Sequence, residues 1–129
     1  MSHENVKLLR EMYGRSTLRE FAESLHPDAE LHQERSIPDS SDYYGRDEFV
    51  RGTALWLEEW ENFSYVPDEL IDLGDRAFAR IRLAGRSKAS GVDLDRAAFH
   101  VWTFRDGMPW RCEVYFNECQ ALEAAGLAV

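Results

Sequence analysis

From Phe63 to Phe116 apolar residues recur with a period near two, in four runs broken by turn-forming residues. The runs are Phe63 to Leu73, Ala77 to Ala84, Val92 to Phe104 and Met108 to Phe116, separated by Gly74-Asp75, a Gly85 to Gly91 loop and Asp106-Gly107. Short connections between successive strands require antiparallel neighbours, so this half of the chain reads as one meander.

The first half has a helical period instead. Val6, Leu9 and Tyr13 share a stripe with Leu8 and Met12 beside it, and Gly14 closes the turn. Thr17 and Glu20 have the spacing of a capping box, ahead of an apolar face of Leu18, Phe21, Ala22 and Leu25 that Pro27 stops. Ala29, Leu31 and Gln33 alternate with Glu30, His32 and Glu34, a short half-buried strand, and a polar loop from Ser36 to Tyr44 follows. A third helix starts near Arg46 and places Phe49, Thr53, Trp56 and Trp60 on one face, with Asp47 and Glu48 favourably set in its first turn. Asn117 caps a last helix, Glu118 to Ala125, which Gly126 ends.

At 129 residues these elements make one α+β domain, 1–129, helices first and then a long antiparallel meander, and its many flat aromatic side chains suit a small apolar or aromatic ligand. The strand from Ala97 to Phe104 is apolar on both faces, with Phe99 and Val101 opposed to Trp102 and Phe104. Helices cover one face; for the other the simplest cover is a second copy, a homodimer through the outer sheet face.

A formal net charge of -9 argues against nucleic acid. No apolar run reaches the roughly 20 residues of a membrane helix, and the start, Met-Ser-His-Glu-Asn, lacks a signal-peptide layout, so the expected location is cytoplasmic. Cys112 and Cys119 are read as buried or free thiols. His3, His26, His32 and His100 form no close ligand set, so neither a metal nor another cofactor is expected.

Among polar residues His100 stands out, because it shares a strand face with Trp102 and Phe104 and titrates near neutrality. Tyr13, on the apolar stripe of the first helix, is its expected companion, the two forming a donor and base pair across one substrate. Gln33 is the third candidate, with His32 and Glu34 in reserve on the opposite strand face. Trp56, Trp60, Trp102, Cys112 and Phe116 are the expected ligand contacts. Arg80, Arg82, Arg86 and Lys88 read as a solvated edge, the lesser alternative being a mouth for an anionic group.

Several segments in order resemble the nuclear-transport-factor-2-like superfamily, and within it the SnoaL-like (polyketide cyclase-like) branch. They are Tyr44-Gly45-Arg46-Asp47 opening the third helix, Ile71-Asp72-Leu73-Gly74-Asp75, His100-Val101-Trp102-Thr103-Phe104-Arg105-Asp106-Gly107, and Ala121-Leu122-Glu123-Ala124-Ala125-Gly126-Leu127. The resemblance implies a cone-shaped sheet around a pocket, shared by ketosteroid isomerases, polyketide cyclases, epoxide hydrolases, dehydratases and non-catalytic binders. It sets Tyr13 at the position of the isomerase's oxyanion-hole tyrosine, Gln33 at that of its aspartate base, and His100 at that of its protonated aspartate. The chain departs from that pattern at Gln33, where an amide cannot take up a proton, and Val114 stands where an epoxide hydrolase has its aspartate. The resulting expectation is a cofactor-independent lyase, isomerase or cyclase acting on an apolar carbonyl compound, with a non-catalytic binding protein of the same shape as the alternative.

Overall fold

The computed structural model describes residues 2–14, 17–36 and 40–127. The elements are α1 (Ser2–Tyr13), α2 (Leu18–Glu23), β1 (Glu30–His32), β2 (Asp42–Tyr44), α3 (Arg46–Glu58), β3 (Trp60–Asp72), β4 (Arg76–Ser87), β5 (Asp93–Arg105), β6 (Met108–Tyr115) and α4 (Glu118–Ala125).

One sheet runs in the order β2-β1-β6-β5-β4-β3. The meander β3 to β6 is antiparallel as expected, but β1 lies parallel to β6, pairing Leu31 with Cys112, so the sheet is mixed. Such a parallel pair needs a long crossover, and here nearly the whole chain between β1 and β6 supplies it. Edge strand β3 carries two register shifts against β4, between Glu61 and Ser64 and between Pro67 and Glu69. Bulges of this kind bend a strand and raise its twist, which curves the sheet.

The elements depart from expectation mainly at their ends. Trp60 does not extend the stripe of α3: the helix stops at Glu58, and Trp60 opens β3 by pairing with Ser87. The expected Gly85 to Gly91 loop shrinks to a turn, because Gly85 and Arg86 pair with Leu94 and Asp93. The Ser36 to Tyr44 loop contains β2, whose Tyr43 pairs with Leu31; residues 37–39 lie outside the described set. At α2 the Thr17 hydroxyl caps the Glu20 N-H as expected, but it also donates to the Glu20 carboxylate. Asp106 and Gly107, both at positive φ, form the last hairpin turn, and α4 has its Asn117 and Gly126 caps where expected.

Alternation divides the sheet between two cores. On the inner face Ala79, Ile81, Leu83, Ala98, Trp102 and Cys112 meet Leu9, Met12 and Tyr13 of α1, Phe21 of α2 and Phe49 of α3. On the outer face Phe78, Phe99 and Val101 pack with Ala121 and Ala125 of α4. The apolar strand face that called for a second copy is therefore covered within the chain, and that argument for a homodimer loses its exposed patch. Nor is β4 an edge: it lies between β3 and β5, and Arg80 and Arg82 on its outer face pair with Glu118 and Asp95. Among the described residues no helix is long and apolar enough to cross a membrane.

Candidate functional site

Between the inner sheet face and α1, α2 and α3 lies a cavity of about 110 Å³. Its walls are mainly aromatic and aliphatic, with Phe21, Phe49, Trp56, Phe63, Trp102 and Phe116 among the rings that line it. Of the expected ligand contacts, Trp56, Trp102, Cys112 and Phe116 line it. Trp60 does not. Its ring packs behind Trp56, centroids 5.3 Å apart, a consequence of its place at the start of β3.

The polar centre of the cavity joins three elements. Strand β5 projects His100 and Trp102 to the inner face because they are two residues apart, and the last turn of α1 sets Tyr13 against both. The Trp102 indole N-H donates to the Tyr13 oxygen at 2.8 Å, and Tyr13 stands 2.6 Å from His100 Nδ1. Indole can only donate, and the phenol has a single proton. That proton finds an acceptor in Nδ1, which leaves the hydrogen of a neutral imidazole on Nε2. Among the described residues Nε2 has no partner, so His100 offers the cavity an N-H donor.

Burial acts on both ends of this chain. It raises the Tyr13 hydroxyl well above the ordinary phenol range, so the tyrosine stays protonated, and it pushes His100 down from 6.5 to about 4. At neutral pH the site is an uncharged relay, Trp102 to Tyr13 to His100. The pair expected to face each other across a substrate instead bond directly. Tyr13 thus orients the imidazole, and its proton is already committed.

The depressed histidine pKa has a consequence for stability. Unfolded, the ring takes up a proton near 6.5; folded, it resists until about 4, so between these values the unfolded chain binds more protons. Stability that is complete above pH 6.5 should fall as pH drops towards 4, by about 3 kcal/mol at most from this group. We expect the melting temperature of the wild type to decline more steeply between pH 6.5 and 5 than that of His100→Phe. Parallel profiles would show that the imidazole is not held neutral by the fold.

Gln33 does line the cavity, although it lies one residue beyond β1. Its Oε1 accepts the Ser41 N-H at 3.1 Å, which leaves the amide N-H groups as its remaining polar offering. His32 and Glu34 lie away from it: His32 sits between Glu30 and Asp42 carboxylates, and Glu34 accepts the Phe116 N-H at 2.8 Å. Among the described residues none that lines the cavity carries a carboxylate. Among the described residues no group of three or more His, Cys, Asp or Glu side chains is placed to hold a metal ion.

Sequence reasoning passed over Tyr65. It lines the cavity, sets its ring edge-on to Tyr13 at 5.8 Å and has no hydrogen-bond partner among the described residues, and burial raises its hydroxyl pKa. The signal was available in the alternation of Phe63 and Tyr65 with Ser64 and Val66.

No curated protein matches this chain by sequence. Solved structures do match its fold. An NTF2-like protein of unknown function from Burkholderia pseudomallei superposes with a TM-score of 0.79 at 21% identity, covering 93% of this chain and 95% of that one. TerC, co-crystallized with polyporic acid, gives 0.77 at 19% identity over 95% and 98%. A protein of Jannaschia sp. CCS1, classed by its name with SnoaL-like polyketide cyclases, gives 0.77 at 17% over 99% and 94%. At such identities the likeness is one of fold, which hosts many chemistries. The family model for the SnoaL-like domain matches residues 6–111.

Proposed function

This chain belongs to the SnoaL-like domain family, and from that premise we propose that it is a cofactor-independent enzyme of the lyase, isomerase or cyclase type. Its substrate is an apolar, polyketide-like carbonyl compound, held with an oxygen against His100 Nε2-H. The observation that carries this reading is the chain Trp102 to Tyr13 to His100 inside a mainly apolar cavity. A neutral donor fixed by two further hydrogen bonds costs little reorganisation when negative charge develops on a carbonyl oxygen, which is the condition for preferential transition-state binding.

Of the three reaction types, ring closure asks least of these residues. The enol of the substrate attacks a second carbonyl polarised by His100; one carbon–carbon bond forms, the carbonyl π bond opens, and the enol proton ends on the new hydroxyl. No protein carboxylate is needed. The absence of a carboxylate among the described lining residues also favours a second reading, a binding protein in which His100 is a hydrogen-bond partner only. Turnover separates the two. Titration with planar enones and phenols, followed by tryptophan fluorescence, should saturate because Trp56 and Trp102 line the cavity; absence of saturable quenching across the panel would remove both readings.

A further inference from the structure

Four residues before His100 on β5, with its side chain on the same face by alternation, stands Arg96. The residues around it belong to the cavity: Ala98 lies between the two, Leu83 is its partner on β4, and the Phe116 ring lies under its guanidinium, 4.2 Å from centroid to carbon. Ala98 is buried, whereas Arg96 is exposed, so the cation stands where the cavity wall reaches solvent. Among the described residues Arg96 has no carboxylate partner, unlike Arg80 and Arg82, which point to the outer face and are paired there. The Phe116 N-H is held by Glu34 Oε2, and the other oxygen of that carboxylate accepts the Ser36 N-H.

We propose that Arg96 is an anion anchor at the cavity mouth, so that the ligand is an apolar carbonyl compound ending in a carboxylate. The inference rests on the pocket reading above and names the charge of the molecule that occupies it. A cavity of about 110 Å³ encloses about one ring, so a larger ligand emerges at the mouth. Four residues of strand separate the Arg96 and His100 Cα atoms by about 13 Å, matching a compound of two fused rings with substituents at both ends. The planar guanidinium, already placed over the Phe116 ring, presents paired N-H groups to paired carboxylate oxygens. One guanidinium balances one unit of charge; a phosphate monoester would bring nearly two to a protein of net charge -9.

The test uses 6-acetyl-2-naphthoate and its methyl ester, which differ only at the end facing Arg96. Wild-type protein should bind the acid about tenfold more tightly than the ester, an advantage that shrinks as salt is raised. Arg96→Gln should bind both with the affinity of the ester, and His100→Phe should weaken both while keeping their ratio. Equal binding of acid and ester by the wild type, or an acid preference that survives Arg96→Gln, overturns the anchor and leaves the pocket reading standing because the ester still binds. Binding of neither compound to the wild type overturns both.

Discussion

Replacing His100 with phenylalanine is expected to lower turnover of a cyclising carbonyl substrate by about 10²- to 10³-fold, the usual contribution of one preorganised donor to a developing oxyanion. The ring fits the space of the imidazole and preserves the apolar wall, but it offers neither Nδ1 to the Tyr13 hydroxyl nor Nε2-H to the ligand. Some stability goes with it. A buried phenol proton left without an acceptor costs about 1–3 kcal/mol, so the variant should fold and melt earlier. His100→Gln makes the distinction sharper. Its amide can accept from Tyr13 and still donate into the cavity, but it cannot exchange a proton. If His100 acts as the neutral N-H donor that polarises the carbonyl, glutamine should recover most of the affinity and much of the turnover; if it moves a proton, affinity should recover while turnover does not. Undiminished turnover in His100→Phe would end the catalytic assignment.

The largest structural effect is expected at Trp102. This side chain is 1% exposed, stacks on Phe49 at 6.1 Å with ring planes 18° apart, and belongs to the inner core. Truncation to alanine should cost about 3–5 kcal/mol from lost transfer and an unfilled cavity. For a domain of this size that corresponds to a melting temperature lower by roughly 10–20 °C. The variant also withdraws the N-H that holds the Tyr13 oxygen, so ligand affinity should fall with stability. Trp102→Phe separates the effects: most of the packing returns and the hydrogen bond does not. Recovery of stability without recovery of affinity is the expected pattern. A Trp102→Ala variant that melts within a few degrees of wild type would place the core elsewhere.

Both predictions turn on one contact set, and its parts were unequally legible. The placement of His100 on an inward face with Trp102 follows from strand period alone, and so does the inward face of Tyr13 on α1. That Tyr13 and His100 bond to each other rather than flank a substrate does not follow, because their separation of 87 residues is bridged only when the sheet closes over α1. Trp60 shows the opposite failure. Its spacing from Trp56 fits a helical stripe, yet its backbone groups find partners in β4, and pairing across a sheet outweighs the continuation of a helix by two residues. The basic run in β4 misled for a related reason: a strand read as an edge from its charges lies inside the sheet, and its Arg80 and Arg82 pair on the outer face with Glu118 and Asp95.

Hydrophobic period, turn residues and caps are local quantities, and they suffice here for the element order, the meander, the ends of α4 and the assignment of inner and outer faces. Three features depend on groups far apart in the chain. The parallel β1–β6 pairing sets Cys112 beside Leu31, α4 folds back onto the outer face, and the proton of Tyr13 is directed to Nδ1 of His100. Each is settled by long-range burial and by the need of enclosed donors and acceptors for partners, which no window of neighbouring residues contains.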